Sequence, residues 1–136
     1  MKKFIAVILA ALMLFAFAAC DSKDDTVYTV GICQYSEHDS LHLATQGFME
    51  ALVKELGTEN VIFDVQNAFD HPEICTDLIN RFVSRDVDLI MANATPALQE
   101  AARATRDIPI IGTSVTDYAT ALEIENFNGT VGKNIT

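Results

Sequence analysis

The sequence predicts an α/β fold in which a parallel sheet forms the middle of three layers, with helices on both of its faces. Two observations predict it. Apolar, β-rich segments alternate with segments of helical periodicity along residues 27–136 of this 136-residue chain. Four strands then alternate with three helices, and that order builds βαβ units with parallel strands. The length suits a single domain.

The first half of the pattern contains two strands and the starts of two helices. Residues 27–33 are rich in β-branched residues and predict the first strand. Apolar residues at helical spacing predict a helix over residues 41–56, which Gly57 ends. The second strand is expected at residues 61–65. Pro72 then opens the second helix, because its fixed φ suits the first helical position.

The second half repeats the alternation. Residues 87–92 are almost wholly apolar, as in a strand buried on both faces. Thr95 and Pro96 begin the third helix, and residues 108–112 form the fourth strand. Pro109 is expected at the start or edge of that strand, because it cannot donate a hydrogen bond to a neighbour. A fifth strand is expected around Val131.

The first twenty residues are predicted to be a lipoprotein signal peptide. Two lysines precede residues 4–19, a run without charged or polar side chains that is shorter than the roughly 20 residues of a spanning helix. Small residues before Cys20 resemble a bacterial lipobox, although Phe17 stands where Leu is usual. Residues 21–26 are polar and predict a tether. An ordinary secretory signal with a chance cysteine, or an uncleaved anchor, is the alternative.

Charge excludes two classes of partner. The chain has 9 basic and 19 acidic residues and a net charge of −10. Cleavage before Cys20 would remove Lys2 and Lys3, which leaves 7 basic residues against 19 acidic ones and a charge of −12. A chain this acidic does not favour nucleic acid or anionic lipid headgroups. Lipid on Cys20, with more than one acyl chain, would instead hold it to the membrane.

Two further cysteines remain after Cys20. Cys33 lies in the first predicted strand and Cys75 on the apolar face of the second predicted helix. The favoured interpretation is two buried free thiols, while a disulfide between them stays open because export permits one. No paired-cysteine or Cys/His spacing indicates a metal site, and the sequence indicates no cofactor.

Polar side chains follow three of the predicted parallel strands, and ligands of open parallel sheets bind beyond the carboxyl ends of the strands. The candidate ligand-binding residues are Tyr35, Ser36 and His38 after the first strand, Ala94, Thr95 and Pro96 after the third, and Ser114, Thr116 and Asp117 after the fourth. Backbone amides at the helix start behind Thr95 suit a carboxylate.

Each of these features also has a purely structural interpretation. Thr95 and Ser36 could be helix caps, His38 a solvated loop residue, and Asp117 part of a turn. Ser36, His38 and Asp39 supply the residue types of a catalytic triad, but residues so close on one loop seldom reach triad geometry. The chain also lacks the G-x-S-x-G elbow. The sequence therefore indicates a binding protein rather than an enzyme.

The ordered set of segments resembles the lipoprotein ABC-transporter binding proteins that include tryptophan and tyrosine binders, the TrpX-like family. The matching segments are residues 31–38, 44–48, 64–68, 83–90, 94–99, 108–110, 113–117 and 128–132. In this family Pro often follows the histidine and the Thr-Asp pair, where this chain has Asp39 and Tyr118.

The resemblance implies a type I periplasmic-binding-protein fold, in which two α/β lobes close on a ligand. Residues 27–136 resemble the amino-terminal lobe alone, so the resemblance implies a truncated member that lacks the second lobe. It also implies an extracytoplasmic protein that captures a small solute and delivers it to the permease and ATPase subunits of a transporter. The solute is expected to be an amino acid, and aromatic amino acids are the first candidates. The rival hypothesis is a lipid-anchored sensory or interaction domain with no transport role.

Overall fold

A computed structural model describes residues 26–136, and it contains the predicted parallel sheet. The strands are β1 (Tyr28–Gln34), β2 (Val61–Asn67), β3 (Leu89–Asn93) and β4 (Ile110–Thr113). The helices are α1 (Asp39–Leu56), α2 (Pro72–Ser84), α3 (Thr95–Ala104) and the short α4 (Tyr118–Ala121), with a 3-10 turn at Thr58–Asn60. The strand order is β2-β1-β3-β4, and all three pairings are parallel.

Helices cover both faces of the sheet, which confirms the α/β fold class. On one face, Phe48 and Leu52 of α1 pack against the cluster that contains Ile32 of β1. On the other face, α2 and α3 contribute residues such as Phe82 and Leu98 to a larger buried cluster. β1 supplies alternate residues to the two clusters because successive side chains of a strand point to opposite faces.

Gly31 of β1 allows α2 to approach the centre of the sheet. A Cβ at this position would lie 2.6 Å from Cγ of Phe82, whose side chain is fully buried. Only glycine leaves room for the ring directly on the strand. The close contact therefore depends on one residue from each element.

Local signals explain where the helices begin and end. α1 begins at Asp39, two residues before the predicted start, because Nδ1 of His38 accepts a hydrogen bond from the Ser40 N–H at 3.3 Å and caps the helix. Gly57 ends it with φ of 89°. α2 begins at Pro72, as predicted.

The expected fifth strand at Val131 is wrong. Gly132 and Lys133 have φ of 73° and 58°, so the chain turns there instead of extending. The pairing occurs further along, where Ile135 makes an isolated parallel bridge with Ile110 of β4. Pro109 directly precedes β4, and its carbonyl accepts from the Ile90 N–H at 2.9 Å, so it occupies the predicted position.

The predicted signal peptide, with Cys20, and the tether up to residue 25 lie outside the described residues. Within residues 26–136, no helix is long and apolar enough to cross a membrane.

Candidate functional site

Polar residues form a row across the carboxyl ends of the four strands. Gln34 of β1 is in register with Asn67 of β2 and with Asn93 of β3, and Asn93 is in register with Thr113 of β4. Because the strands are parallel, the connection after each strand leaves from this one edge, which we call the carboxyl edge. The three segments that hold Ser36, Thr95 and Ser114 all start there.

Buried polar side chains hold the first turns of α1 against this edge. Thr45 of α1 donates its hydroxyl to Oε1 of Gln34 at 3.1 Å. Nδ2 of Asn93 donates to the Leu41 carbonyl at 2.7 Å and to Oγ1 of Thr45 at 3.0 Å. Gln34, Thr45 and Asn93 are all buried, so these hydrogen bonds replace the water that the groups lose on folding.

The connections at the carboxyl edge contact one another. The Tyr35 N–H donates to the Asn93 carbonyl at 3.1 Å, which joins the β1–α1 and β3–α3 connections. The Thr116 N–H lies 3.5 Å from Oγ1 of Thr95, which joins β3–α3 to β4–α4. The Tyr35 hydroxyl donates to the Asp70 carbonyl at 3.2 Å and brings in the β2–α2 connection.

The topology places a switch point between β1 and β3. These strands are neighbours, yet the chain leaves β1 for α1 on one face and leaves β3 for α3 on the other. The two connections diverge, and open α/β sheets bind ligands in the crevice that such a point predicts. Tyr35 and Ser36 lie on one side of this crevice, and Ala94 and Thr95 lie on the other.

The start of α3 has the features of an anion site. Ala94 is the N-cap residue with φ of 96°, and it makes no side-chain capping bond. Thr95 is the first helical residue, and Pro96 follows it without an N–H. The backbone N–H groups of Thr95 and Ala97 therefore have no partner within the helix, and the helix dipole makes this end positive. Thr95 itself does not cap the helix.

Two predicted site residues have capping roles. His38 caps α1, and its Nδ1 also lies 3.0 Å from Oγ of Ser40. Asp117 caps α4 by accepting from the N–H and hydroxyl of Thr120 at 3.2 and 3.1 Å. These two hydrogen bonds hold the pKa of the Asp117 carboxyl below its ordinary value, and the bond from the Thr120 N–H has the larger effect. Both side chains remain exposed while they cap their helices.

Sequence reasoning missed Phe69, in the connection after β2. Its side chain is 55% exposed at the carboxyl edge. The Phe69 N–H donates to Oδ1 of Asn67 at 2.8 Å, and the Asp70 N–H donates to the Tyr35 carbonyl at 2.9 Å. The candidate residues all came from the connections after the first, third and fourth strands. Ligands bind beyond the carboxyl ends of all parallel strands, so the connection after the second strand is an equally good candidate.

Unusual backbone conformations occur in three of the four connections at this edge. Phe69, Asp70, Ala94 and Ser114 have φ of 49°, 62°, 96° and 56°. Positive φ strains a residue that has a Cβ, and such strain is typical of ligand sites. Of the groups of His, Cys, Asp and Glu among residues 26–136, none is arranged to hold a metal ion.

Comparison with known proteins gives this geometry a family context. Residues 29–136 match the family model described as ABC transporter substrate binding protein. A curated relative, the tyrosine-binding protein of Clostridioides difficile strain R20291, is 43% identical over 99 residues, which are 71% of this chain and 28% of the relative.

Solved structures show the same fold. A ligand-free, open structure of a substrate-binding protein with adhesive properties from Clostridium difficile superposes with a TM-score of 0.72 at 36% identity, over 81% of this chain and 38% of that one. An ABC domain from Streptococcus pneumoniae in complex with L-Trp gives a TM-score of 0.74 at 28% identity, over 82% and 38%. This chain thus corresponds to one part of a larger protein in each case. The chain belongs to the family of ABC transporter substrate-binding proteins.

Proposed function

We propose that this chain is the extracytoplasmic substrate-binding part of an ABC transporter and that its ligand is a small solute of the amino acid class. The observation that supports this most directly is the switch point between β1 and β3, where the connections after β1, β3 and β4 are joined by hydrogen bonds. Switch points of this kind are the usual ligand sites of open α/β sheets. The family to which the chain belongs binds substrates and is not a class of enzymes.

The charges around the crevice suit a zwitterion. The four connections, residues 35–38, 68–71, 94 and 114–117, contain no Lys or Arg, but they carry Glu37, Asp70 and Asp117. A ligand carboxylate would meet the backbone N–H groups of Thr95 and Ala97 at the positive end of α3. A ligand ammonium would be attracted by the acidic side chains. Within this proposal, the predicted ligand-binding residues are retained, with Phe69 added.

An aromatic side chain on the ligand would have partners at the same edge. Phe69 presents an exposed ring, and Tyr35 lies in the connection that is hydrogen-bonded to that of Phe69. Aromatic rings pair in stacked or edge-to-face arrangements. The curated relative is a tyrosine-binding protein, and one solved relative holds L-Trp. Both names support an aromatic amino acid as the ligand.

Transport would require a second wall for the ligand. Binding proteins of two lobes close on a ligand by hinge motion and present the closed form to the permease. Lipid on Cys20 would keep the protein beside the permease and ATPase subunits. One lobe supplies only part of the contacts, so the proposal includes weak binding by this chain alone.

The direct test is an NMR titration of the ¹⁵N-labelled chain with tyrosine, tryptophan, leucine, aspartate and, as a non-amino-acid control, maltose. We expect fast-exchange shifts in the millimolar range with amino acids, strongest for the aromatic ones, in the amides near Tyr35, Thr95 and Thr116. Maltose should shift none of them. If no amino acid shifts these amides, or if the shifts map to another surface, the proposal is wrong.

A pair of variants tests the aromatic contact. Phe69→Ala should weaken tyrosine binding about 3- to 10-fold, because the ring contact contributes on the order of 1 kcal/mol. Ile62→Ala is the matched control, since Ile62 is 58% exposed on β2 but lies near the opposite end of the strand. Equal loss in both variants would contradict a specific contact at Phe69.

The rival function is a sensory or interaction domain, and one observation favours it: a solved relative is described as having adhesive properties. Deleting the gene and measuring both uptake of labelled tyrosine and attachment to surfaces separates the two functions. We expect uptake to fall. Normal uptake with reduced attachment would favour the interaction function instead.

A further inference from the structure

Two cysteines that are distant in the sequence meet in the core. Sγ of Cys33 and Sγ of Cys75 lie 3.6 Å apart across a separation of 42 residues, and both side chains are 0% exposed. Cys33 is the residue of β1 just before Gln34, and Cys75 lies near the start of α2. A covalent bond between them would tie one of the two central strands to a helix directly beneath the carboxyl edge.

The surroundings suit a disulfide better than a metal site or a reactive thiol. Both cysteines belong to the apolar cluster on the α2–α3 face. Among residues 26–136, no third His, Cys, Asp or Glu joins them to form a metal-binding group. A disulfide has an S–S distance of about 2.05 Å, so the two sulfurs need to approach by roughly 1.5 Å. Rotation about the Cα–Cβ bonds, with small backbone shifts, moves sulfur atoms over this range.

We propose that Cys33 and Cys75 form a structural disulfide in the exported protein. This inference uses the proposed function only for its extracytoplasmic location, where disulfides persist. The oxidant is a disulfide-bearing compound or protein, R–S–S–R. One thiolate attacks it and releases R–SH, and the second thiolate attacks the mixed disulfide and releases another R–SH. The two cysteines together lose two protons and two electrons, which the two released thiols carry.

The bond is expected to form while the chain is folding. Both side chains are 0% exposed in the folded core, so an external oxidant does not reach either sulfur there. Burial also makes a thiol inert. The same burial then shields the finished disulfide from reductants. Because the bond closes a loop that contains α1 and β2, it restricts the unfolded chain and should raise the melting temperature by on the order of 10 °C.

The test traps thiols in the full chain exported from bacterial cells by its own leader. Cells are lysed in denaturant with N-ethylmaleimide, and tryptic peptides are analysed by mass spectrometry. Cleavage after Lys23, Lys54 and Arg81 puts Cys33 in peptide 24–54 and Cys75 in peptide 55–81, each as the single cysteine, while Cys20 falls in another peptide. We expect the two peptides as one linked species that reductant separates.

Maleimide on both cysteines of the exported chain, or separate mixed disulfides on each, would overturn the proposal. In the control variant Cys33→Ala, the linked species should vanish and Cys75 should be alkylated. Reductant should lower the melting temperature of the exported wild-type chain but not that of the variant. The mass-spectrometric result on the wild-type chain stands even if the variant folds poorly.

Failure of this proposal can be told from failure of the proposed function. Free thiols in a chain that still shows the amino acid shifts would refute the disulfide alone. A linked chain that shows no such shifts would refute the binding function alone.

Discussion

At the scale of single residues, the carboxyl edge depends on a few buried polar side chains. Asn93 is 0% exposed and uses Nδ2 to hold both the Leu41 carbonyl and the Thr45 hydroxyl. Its Oδ1 is buried and makes no hydrogen bond within residues 26–136. Such an atom is unusual in a folded protein and calls for an explanation. Asn93 lies at the end of β3 and bonds to α1, so the same side chain stabilises α1 and helps to position the β1–α1 connection of the candidate site.

We predict that Asn93→Ala lowers the free energy of unfolding by about 2–3 kcal/mol, because two buried hydrogen bonds of the Asn93 amide are lost. Urea denaturation monitored by circular dichroism measures this. Asn80→Ala, at an exposed position of α2, is the matched control and should change the stability by less than about 0.5 kcal/mol. Similar effects in both variants would refute the role of Asn93.

At the scale of the elements, glycine has opposite roles in a strand and in a helix. Gly31 in β1 lets the Phe82 ring of α2 lie on the backbone. Gly47 in α1 is exposed, and a Cβ added there meets no atom of the described residues within 4 Å. The first glycine is needed for packing between elements. The second only lowers the helix propensity of α1.

The same substitution at the two glycines should therefore change stability in opposite directions. Gly31→Ala should lower the free energy of unfolding by at least about 2 kcal/mol, because the new methyl overlaps a buried ring. Gly47→Ala should raise it by about 0.5–1 kcal/mol, because alanine loses less entropy in a helix. Urea denaturation of both variants decides the signs. A stable Gly31→Ala variant would show that Phe82 can move aside.

At the scale of the whole molecule, the described part has its own core. Two apolar clusters, one on each face of the sheet, join all four strands to the three longer helices. A domain of about 110 residues buries enough surface to fold. The net charge of −10 keeps the surface acidic, and no helix within residues 26–136 can span a bilayer.

We predict that the wild-type chain partitions with membranes and that Cys20→Ala releases it or stalls its processing. Two or more acyl chains anchor a protein stably, whereas an acidic surface gives no attraction to anionic headgroups. Fractionation with immunoblotting measures the partition, and mass spectrometry identifies the amino terminus. Cys33→Ala is the matched cysteine control and should stay with the membrane. An unmodified terminus at another residue would contradict the lipoprotein prediction.

The sequence by itself determined the order and nature of the elements. The signals that predict these elements are local: the periodicity of the strands and helices, and the positions of Gly57 and Pro72. Each depends only on the dihedral preferences of residues a few positions apart, or on which side of the element their side chains point to. The alternation of strands with helices implied parallel strands, and parallel strands place the connections that hold Ser36, Thr95 and Ser114 at one edge. The family resemblance was carried by the same ordered segments.

Only the tertiary structure decided how distant residues meet. The order β2-β1-β3-β4 puts the switch point beside Tyr35 and Thr95, and no local pattern specifies it. Asn93 reaches α1 across 48 residues. A fifth strand was expected around Val131, yet Ile135 makes the bridge to β4 because the backbone turns between them. The periodicity of a segment shows which of its side chains face the core. Which other helix or strand packs against that face depends on contacts between residues far apart in the sequence, and a short segment does not encode them.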